Sequence, residues 1–497
     1  MFHSLIFSIN HSNNVRGAGA HRIAQVLRNE GWDCEVVDFV LYWPKEVLHE
    51  FIKSRITSDT KLIGFSCFAN SWNSDMDDLA EWIKDNWPHL TTVIGSQEVL
   101  KTNIDKRNID WYVDSFGDKA AIELSKYLVG NGKRPVTDLN EQARTGRKVI
   151  RANINYPAFP MASLSVDYED RDFIFEYEMM VIEIGRGCKF KCDFCNFPVL
   201  GVKGDYTRDA SDFDTDLRRN YDKWGLKNYF VAEETFNDST EKIIKFADVV
   251  EKLPFEPWFG GFVRGDLIVS RPQDWEHLAR MRHLGHHYGI ESTNWESAKS
   301  IGKGMRPEKQ LDGLLKAREY FKTQAPYRGT MSFIAGLQHE TMDTLKKTNK
   351  WLIDNWMEES VLYYGLQIPS DDTTENMSDL SRDWSKKGYT IIDYERHIPP
   401  EYGRYTLAAE LPPMKWKTEH MDIYDAFIHV GEWYEQQNPK FREIFWNFGN
   451  IHRDYRLPIK DILKFNSYHT YSEEADTNRQ QFLKDYIDNK LNYRSKK

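Results

Sequence analysis

The sequence predicts an α/β protein with three parts: a Rossmann-like, doubly wound parallel sheet over residues 1–130, a partial or complete (β/α) barrel over 178–370, and a mostly helical C-terminal extension over 371–497. Short apolar runs alternate with amphipathic stretches in the first part. The same alternation returns with longer units in the second, after a polar interval at 131–177 that reads as a linker. Near residue 370 the alternation stops.

In the first part the candidate strands are Ser4–Asn10, Cys34–Phe39, Leu62–Cys67, Thr92–Gly95 and Trp111–Asp114. Between them, His21–Glu30 places Ile23, Val26 and Leu27 on one helical face, and Met76–Trp87 does so with Leu79, Trp82 and Ile83. Open parallel sheets bind ligands at the carboxyl ends of their strands. The run Val15-Arg-Gly17-Ala-Gly19-Ala-His21-Arg22, with Asp38 ending the next strand, mimics a dinucleotide fingerprint. Arg22 stands where the third glycine belongs, which weakens that reading.

The linker carries GNGKRPVTDLNEQARTGRK and then NINYPAFPMAS with its two prolines. Six barrel strands follow: Met180–Gly185, Asn228–Glu233, Trp258–Arg264, His287–Glu291, Gly329–Gly336 and Val361–Gln367. Helical segments such as Glu241–Lys252 and Glu308–Phe321 separate them. The aromatic stretch His420–Phe448 reads as helical and, with the linker, as a lid over the barrel mouth.

At 497 residues the chain is long enough for two or three domains, and 16 Trp, 25 Tyr and 28 Phe supply real cores. A net charge of -10 argues against nucleic acid as the main partner. No apolar window is long enough to span a membrane, and MFHSLIFSINHSNN lacks the basic flank and cleavage site of a signal peptide. A cytoplasmic location is expected. Five cysteines make no disulfide framework.

Their placement is informative. Gly185-Arg-Gly-Cys188-Lys-Phe-Lys-Cys192-Asp-Phe-Cys195-Asn-Phe-Pro198 sets three thiols at C-x3-C-x2-C spacing, just after a strand. Three thiolates can each hold one iron of a cubane and leave the fourth open to a small ligand. Phe190, Phe194 and Phe197 are placed to keep water away. Structural zinc wants four closed ligands, and the first histidine after the cluster is His277.

This loop resembles the signature of the radical S-adenosylmethionine (SAM) superfamily, including Phe194 before the last cysteine. The resemblance covers about 178–370 and implies a six-unit barrel. It implies a [4Fe–4S] cluster on Cys188, Cys192 and Cys195 that binds SAM at its open iron. Reductive cleavage of SAM would then give a 5′-deoxyadenosyl radical. The cofactor carries that chemistry while the protein aligns and shields it.

Further motifs extend the match. Glu233 and Glu234, followed by Thr235-Phe, resemble an acidic pair near the SAM amino group. Arg264 stands where relatives hold the SAM carboxylate, with an ion pair to Asp266 as the plainer reading. Gly-Ile-Glu291-Ser292 resembles a motif of relatives that carry a cobalamin-type domain, and KSIGKGMRPEKQ matches their next loop. Gly336-Leu-Gln338-His339-Glu340-Thr341 departs from the usual Gly-Leu-Pro-Gly-Glu-Thr on the adenine side. His286 and His287 are read as core residues.

Residues 1–130 resemble the cobalamin-binding-like domain that often precedes this barrel. The resemblance rests on Gly64-Phe-Ser-Cys67, Val93-Ile-Gly95-Ser96 and Phe116-Gly-Asp118. The motif that supplies an axial histidine is absent. The implied activity is a cobalamin-dependent radical SAM enzyme, a methyltransferase on an unactivated carbon. The alternatives are a cobalamin-independent rearrangement, cyclisation or oxidation, or an iron–sulfur protein without turnover. The implied partners are a small-molecule or peptide substrate and an electron donor such as flavodoxin or ferredoxin.

Overall fold

A computed structural model describes residues 2–10, 16–67, 72–96, 108–156, 165–195, 207–324, 327–357, 359–368, 378–403, 414–437 and 473–493. The expectations for Val15, Phe197, Pro198 and residues 438–448 lie outside them. Two compact units divide the chain. One comprises Met1–Val181 with Thr215–Leu226 and Asp476–Lys497; the other comprises Ile182–Asp214 with Lys227–Ala475.

The first unit is built on six parallel strands: β1 (His3–Ile9), β2 (Asp33–Val37), β3 (Thr60–Cys67), β4 (Thr91–Ser96), β5 (Trp111–Asp114) and β6 (Val149–Arg151). Their order is β2-β1-β3-β4-β5-β6. The direction of winding reverses between β1 and β3, so a crevice forms at their carboxyl ends. Leu5, Phe7, Ile9, Ile63 and Ile94 join one apolar core, and Ile6, Cys34 and Val36 pack on the other face.

Two expectations need correcting here. The stretch read as a linker contains a helix, Leu139–Thr145, capped by the Asp138 carboxylate, and then β6, which pairs with β5. Val149 and Ile150 are fully buried. A three-residue strand is too short to display alternation, so the polar residues around it hid it. The C-terminal extension also divides. Its last helix, Glu473–Asn492, belongs to the first unit. Phe482, Leu483 and Tyr486 enter that unit's core. The Tyr486 hydroxyl accepts from the Asp38 N–H at 2.8 Å, and Lys490 meets Glu35 at 2.8 Å.

Arg16 is a second tie within this unit. Its guanidinium donates to both oxygens of Glu178, to Asp38 Oδ2 and to the carbonyls of Asp172 and Phe173. All five N–H donors of the side chain are thereby used. Asp38 also meets His21 at 2.9 Å, and Arg22 is held by Asp118 at 2.6 Å. Asp38 is buried, and His21 and Arg16 beside it hold its carboxyl below the usual range against the cost of burial. It presents nothing to a ribose, so the dinucleotide reading fails.

The second sheet is β7 (Met179–Glu183), β8 (Asn228–Ala232), β9 (Trp258–Val263), β10 (His283–Glu291), β11 (Arg328–Ala335) and β12 (Ser360–Gly365). These strands neighbour one another in chain order, and β8 to β12 pair in parallel. Unbroken order is what curls a parallel sheet toward a barrel. Helices such as Thr240–Val250 and Pro307–Gln324 connect the strands.

The aromatic stretch after His420 is helical over Ile423–Glu432, with a wider turn at Trp433–Gln437. Over these residues it packs on the sheet. Tyr434 bonds the backbone of Tyr363, and a side chain at Gly365 would collide with Phe427. Its aromatic content is core packing.

Candidate metal centre at the barrel mouth

The cysteine loop leaves β7 through Arg186, which pairs with Glu183, and through Gly187, whose φ of +91° suits glycine alone among ordinary residues. Cys188, Cys192 and Cys195 are half-buried and free of disulfides. The loop is pinned at several points. Asp193 N–H donates to the Ile301 carbonyl at 3.2 Å, Leu380 N–H donates to the Asp193 carbonyl at 2.8 Å, and Lys387 pairs with the Asp193 side chain. The Thr235 hydroxyl lies 3.5 Å from Cys188 Sγ. Arg264 Nη1 lies 3.4 Å from Cys192 Sγ. The Thr235 hydroxyl donates to the Glu234 carbonyl, so Arg264 is the donor that favours a charged, metal-binding sulfur. Among the described residues, no three His, Cys, Asp or Glu side chains stand ready as a metal cage. Phe194 is half-buried in the same loop.

Glu233 and Glu234 follow β8, and the structure separates them. Glu233 is buried against Lys242, which also meets Asp238 at 2.6 Å and the Thr235 carbonyl at 3.2 Å. Asp238 in turn faces Lys189 of the cysteine loop at 3.3 Å. Glu234 has no hydrogen-bond partner for its buried Oε2. Burial pushes its carboxyl up to about 7, with Glu233 and Glu183 adding to the effect.

At the end of β9, Arg264 forms a two-toothed pair with Asp266, at 3.0 and 2.7 Å. Its guanidinium lies 3.9 Å from the centre of the Phe190 ring. Asn237 bonds its backbone on both sides. The plainer ion-pair reading therefore describes the fork, and a remaining nitrogen is turned to the cysteine.

At the end of β10, Glu291 takes a left-handed backbone at φ +67° and pairs with Lys303 at 2.7 Å. Ser292 donates to Glu340 Oε1 at 2.6 Å. The other Glu340 oxygen accepts from the N–H groups of Gly336 and Leu337, at 2.9 and 3.2 Å. Glu340 thus ties the ends of β10 and β11 together, and burial pushes it up to about 7 despite those bonds. Gly336, at φ +104°, lies where a side chain would strike Trp416. His339 adopts φ +68° where relatives carry glycine, so the turn keeps its left-handed step at a cost of roughly 1–2 kcal/mol. Thr341 caps the helix that follows.

Residues 182–352 match the family model described as the radical SAM superfamily. This stretch is a radical SAM domain. Among solved structures, the radical SAM methyltransferase TsrM from Kitasatospora setae matches with a TM-score of 0.57 at 13% identity, over 74% of this chain and 73% of that one. The cobalamin-dependent SAM radical enzyme OxsB matches with a TM-score of 0.60 at 13% identity, over 99% of this chain and 72% of that one. Both share the fold. No curated protein matches the sequence.

The radical SAM domain sets Thr235 beside Cys188 and Arg264 beside Cys192, and links Glu291 to Lys303 and Ser292 and Gly336 to Glu340, without closing the three cysteines into a cage. Lys242 and Lys303 escaped the sequence reading. The first sits inside an ordinary amphipathic helix, and only its position one turn past an acidic cluster could have flagged it. The second stands in KSIGKGMRPEKQ, where the resemblance was noted without a role for the lysine. His286 is the core residue expected; burial lowers it to about 4, and its ring bonds Tyr288. His287 departs from that reading: it is half-buried beside Phe262. No helix among the described residues is long and apolar enough to cross a membrane.

Proposed function

We propose that the chain is a cobalamin-dependent radical SAM enzyme that methylates an unactivated carbon. The observation that carries the reading is the C-x3-C-x2-C loop at the mouth of an in-order parallel barrel, with Arg264 and Thr235 placed on two of its sulfurs. Three undisulfided thiols, with Arg264 donating to one of them, fit a [4Fe–4S] cluster held by Cys188, Cys192 and Cys195. When bound, that cluster supplies the electron that cleaves SAM. Glu234 suits the SAM ammonium, because a cation would relieve a buried carboxylate that Glu233 and Glu183 already crowd. Glu291, Ser292 and the backbone of Gly336 line the ribose and adenine side, and Glu340 and Lys303 keep them in place. Arg264 serves the cysteine side of the site rather than gripping a carboxylate with its fork.

The first unit supports the cobalamin part. Its sheet reverses at β1 and β3, and Gly95 at the end of β4 faces open space that a side chain would fill. His21 is turned inward onto Asp38 and offers no axial ligand. The solved structures of similar fold include TsrM with cobalamin and a [4Fe–4S] cluster, and OxsB with aqua-cobalamin. A one-electron donor of the flavodoxin or ferredoxin kind completes the requirements.

Iron and sulfide quantitation with EPR, on anaerobically purified protein with and without SAM, tests the centre. About four irons per chain, a spectrum changed by SAM, and 5′-deoxyadenosine formed with dithionite are expected. Zinc, or no metal, at the loop overturns the reading. Titration with hydroxocobalamin separates its two halves. If no corrinoid binds in stoichiometric amount, methylation falls, and cobalamin-independent rearrangement, cyclisation or oxidation takes its place.

A further inference from the structure

Side chains alternate across a strand, so Trp258, Gly260, Phe262 and Arg264 share one face of β9. That face is the barrel lumen, because Arg264 at its end reaches the cysteine loop. Trp258 closes the far end. Its indole lies across Gly260 and Gly285, where added side chains would come within 3.1 and 2.4 Å of the ring. Between this floor and the mouth lies a layer of different character.

Phe262 is 40% exposed, although it sits mid-barrel on a strand otherwise buried. Phe230 meets it edge-on, at 5.6 Å and 89°. His287, opposite Phe262 in the β9–β10 register, meets it at 4.7 Å. His287 Nε2 is bonded to the Ser332 hydroxyl on β11. A hydroxyl has one donor and two acceptor positions, and His287 engages one of these. Two charged pairs at the mouth are closed, Arg264 with Asp266 and Glu291 with Lys303, while Glu234 keeps an unpartnered oxygen. The layer is therefore an aromatic corner with one polar edge.

We propose that this layer is the substrate pocket. It takes a planar aromatic or heteroaromatic group with one hydrogen-bonding substituent. The plane stacks on Phe262, and the substituent meets the His287–Ser332 pair. The assignment rests on the radical SAM reading of the mouth above it. Ring faces and edges reward a flat partner through their quadrupoles beyond mere apolar contact. Phe262 and Ser332 act as specificity residues.

The test uses the full chain, anaerobically reconstituted, titrated calorimetrically with 2-naphthol, decahydro-2-naphthol and 2-methylnaphthalene. The flat alcohol should bind about three- to tenfold more tightly than its saturated counterpart. It should also bind about fivefold more tightly than the methyl compound. Phe262→Leu should remove the first preference, and Ser332→Ala the second, each at unchanged iron content. Equal binding of the flat and saturated alcohols overturns the proposal, as does a preference that survives Phe262→Leu. Formation of 5′-deoxyadenosine is measured on the same samples. Its absence with naphthol selectivity intact removes the radical chemistry and leaves the pocket; its presence without selectivity removes the pocket alone.

Discussion

The two sheets have the same number of strands and the same parallel pairing, yet they treat charge in opposite ways. In the first unit the strand order reverses once, the sheet stays open, and buried ions are closed off among themselves: Arg16 with Glu178 and Asp38, and Lys490 with Glu35. In the second the order never reverses, and polar side chains such as Thr235 and Arg264 at strand ends reach the cysteine loop. Topology alone decides which polar residues are structural. A charge trapped in a sealed core must be fully paired, whereas a charge at a barrel mouth can keep an oxygen or nitrogen turned to a ligand. Glu234 and Arg264 belong to the second kind.

The largest expected effect breaks the first side of this comparison. Deleting residues 473–497 removes Phe482, Leu483 and Tyr486 from a core and strips Lys490 from buried Glu35. Apolar loss of about 2 kcal/mol per side chain, with about 3–5 kcal/mol for the broken buried pair, exceeds ~5 kcal/mol. That is comparable with the whole stability of an ordinary domain. The first unit should lose its cooperative melting transition. An unchanged transition by calorimetry would show that the helix is an appendage.

Glu340 probes the second side. Glu340→Ala leaves the Gly336 and Leu337 N–H groups without their acceptor and should cost about 3 kcal/mol. Glu340→Gln can accept from both and still meet Ser292, so it should cost far less. The two also differ in pH dependence. The folded carboxyl, raised by burial to about 7, holds its proton where the unfolded one has released it. Its contribution is therefore complete below pH ~4.5 and fades as pH rises toward ~7. Urea melts across that window should show a falling slope that Glu340→Gln flattens. A slope identical in both proteins would assign the effect to another group.

Tyr486→Phe is a smaller test of the sealed network. It leaves the Asp38 N–H without its acceptor and should lower stability by about 1–2 kcal/mol, with no effect on iron content.

The same contrast explains what could be read from sequence. The core strands were legible because mainly apolar runs of four to nine residues stand out: all six barrel strands and five of the six in the first sheet lie within a few residues of expectation. β6 was not, being three residues long in polar surroundings. The cysteines were legible because their spacing is local. The partners of Glu233, Glu291 and Arg264 were harder, since Lys242, Lys303 and Cys192 lie 9, 12 and 72 residues away. A lysine on a helix carries no mark of which carboxylate it will meet. The return of the last helix to the first sheet was illegible for the same reason, as Tyr486 meets Asp38 across 448 residues.

Arg264 sharpens the comparison most finely, because its two roles differ in what they predict. If it grips a SAM carboxylate, Arg264→Gln should weaken SAM binding and leave the cluster's potential alone. Its fork is instead engaged by Asp266, and Nη1 points at Cys192 Sγ from a perch on the Phe190 ring. A donor on a ligating sulfur stabilises the reduced, more negative cluster. Removing it should lower the potential by about 40 mV, the one-electron equivalent of a hydrogen bond of roughly 1 kcal/mol. Redox titration followed by EPR measures this, and SAM affinity should change little. A Lys substitution would restore the charge but neither the fork nor the flat stack, so it should recover only part of the shift. If the potential holds and SAM binding falls tenfold, the arginine faces the ligand after all, and Asp266 must release it when SAM arrives.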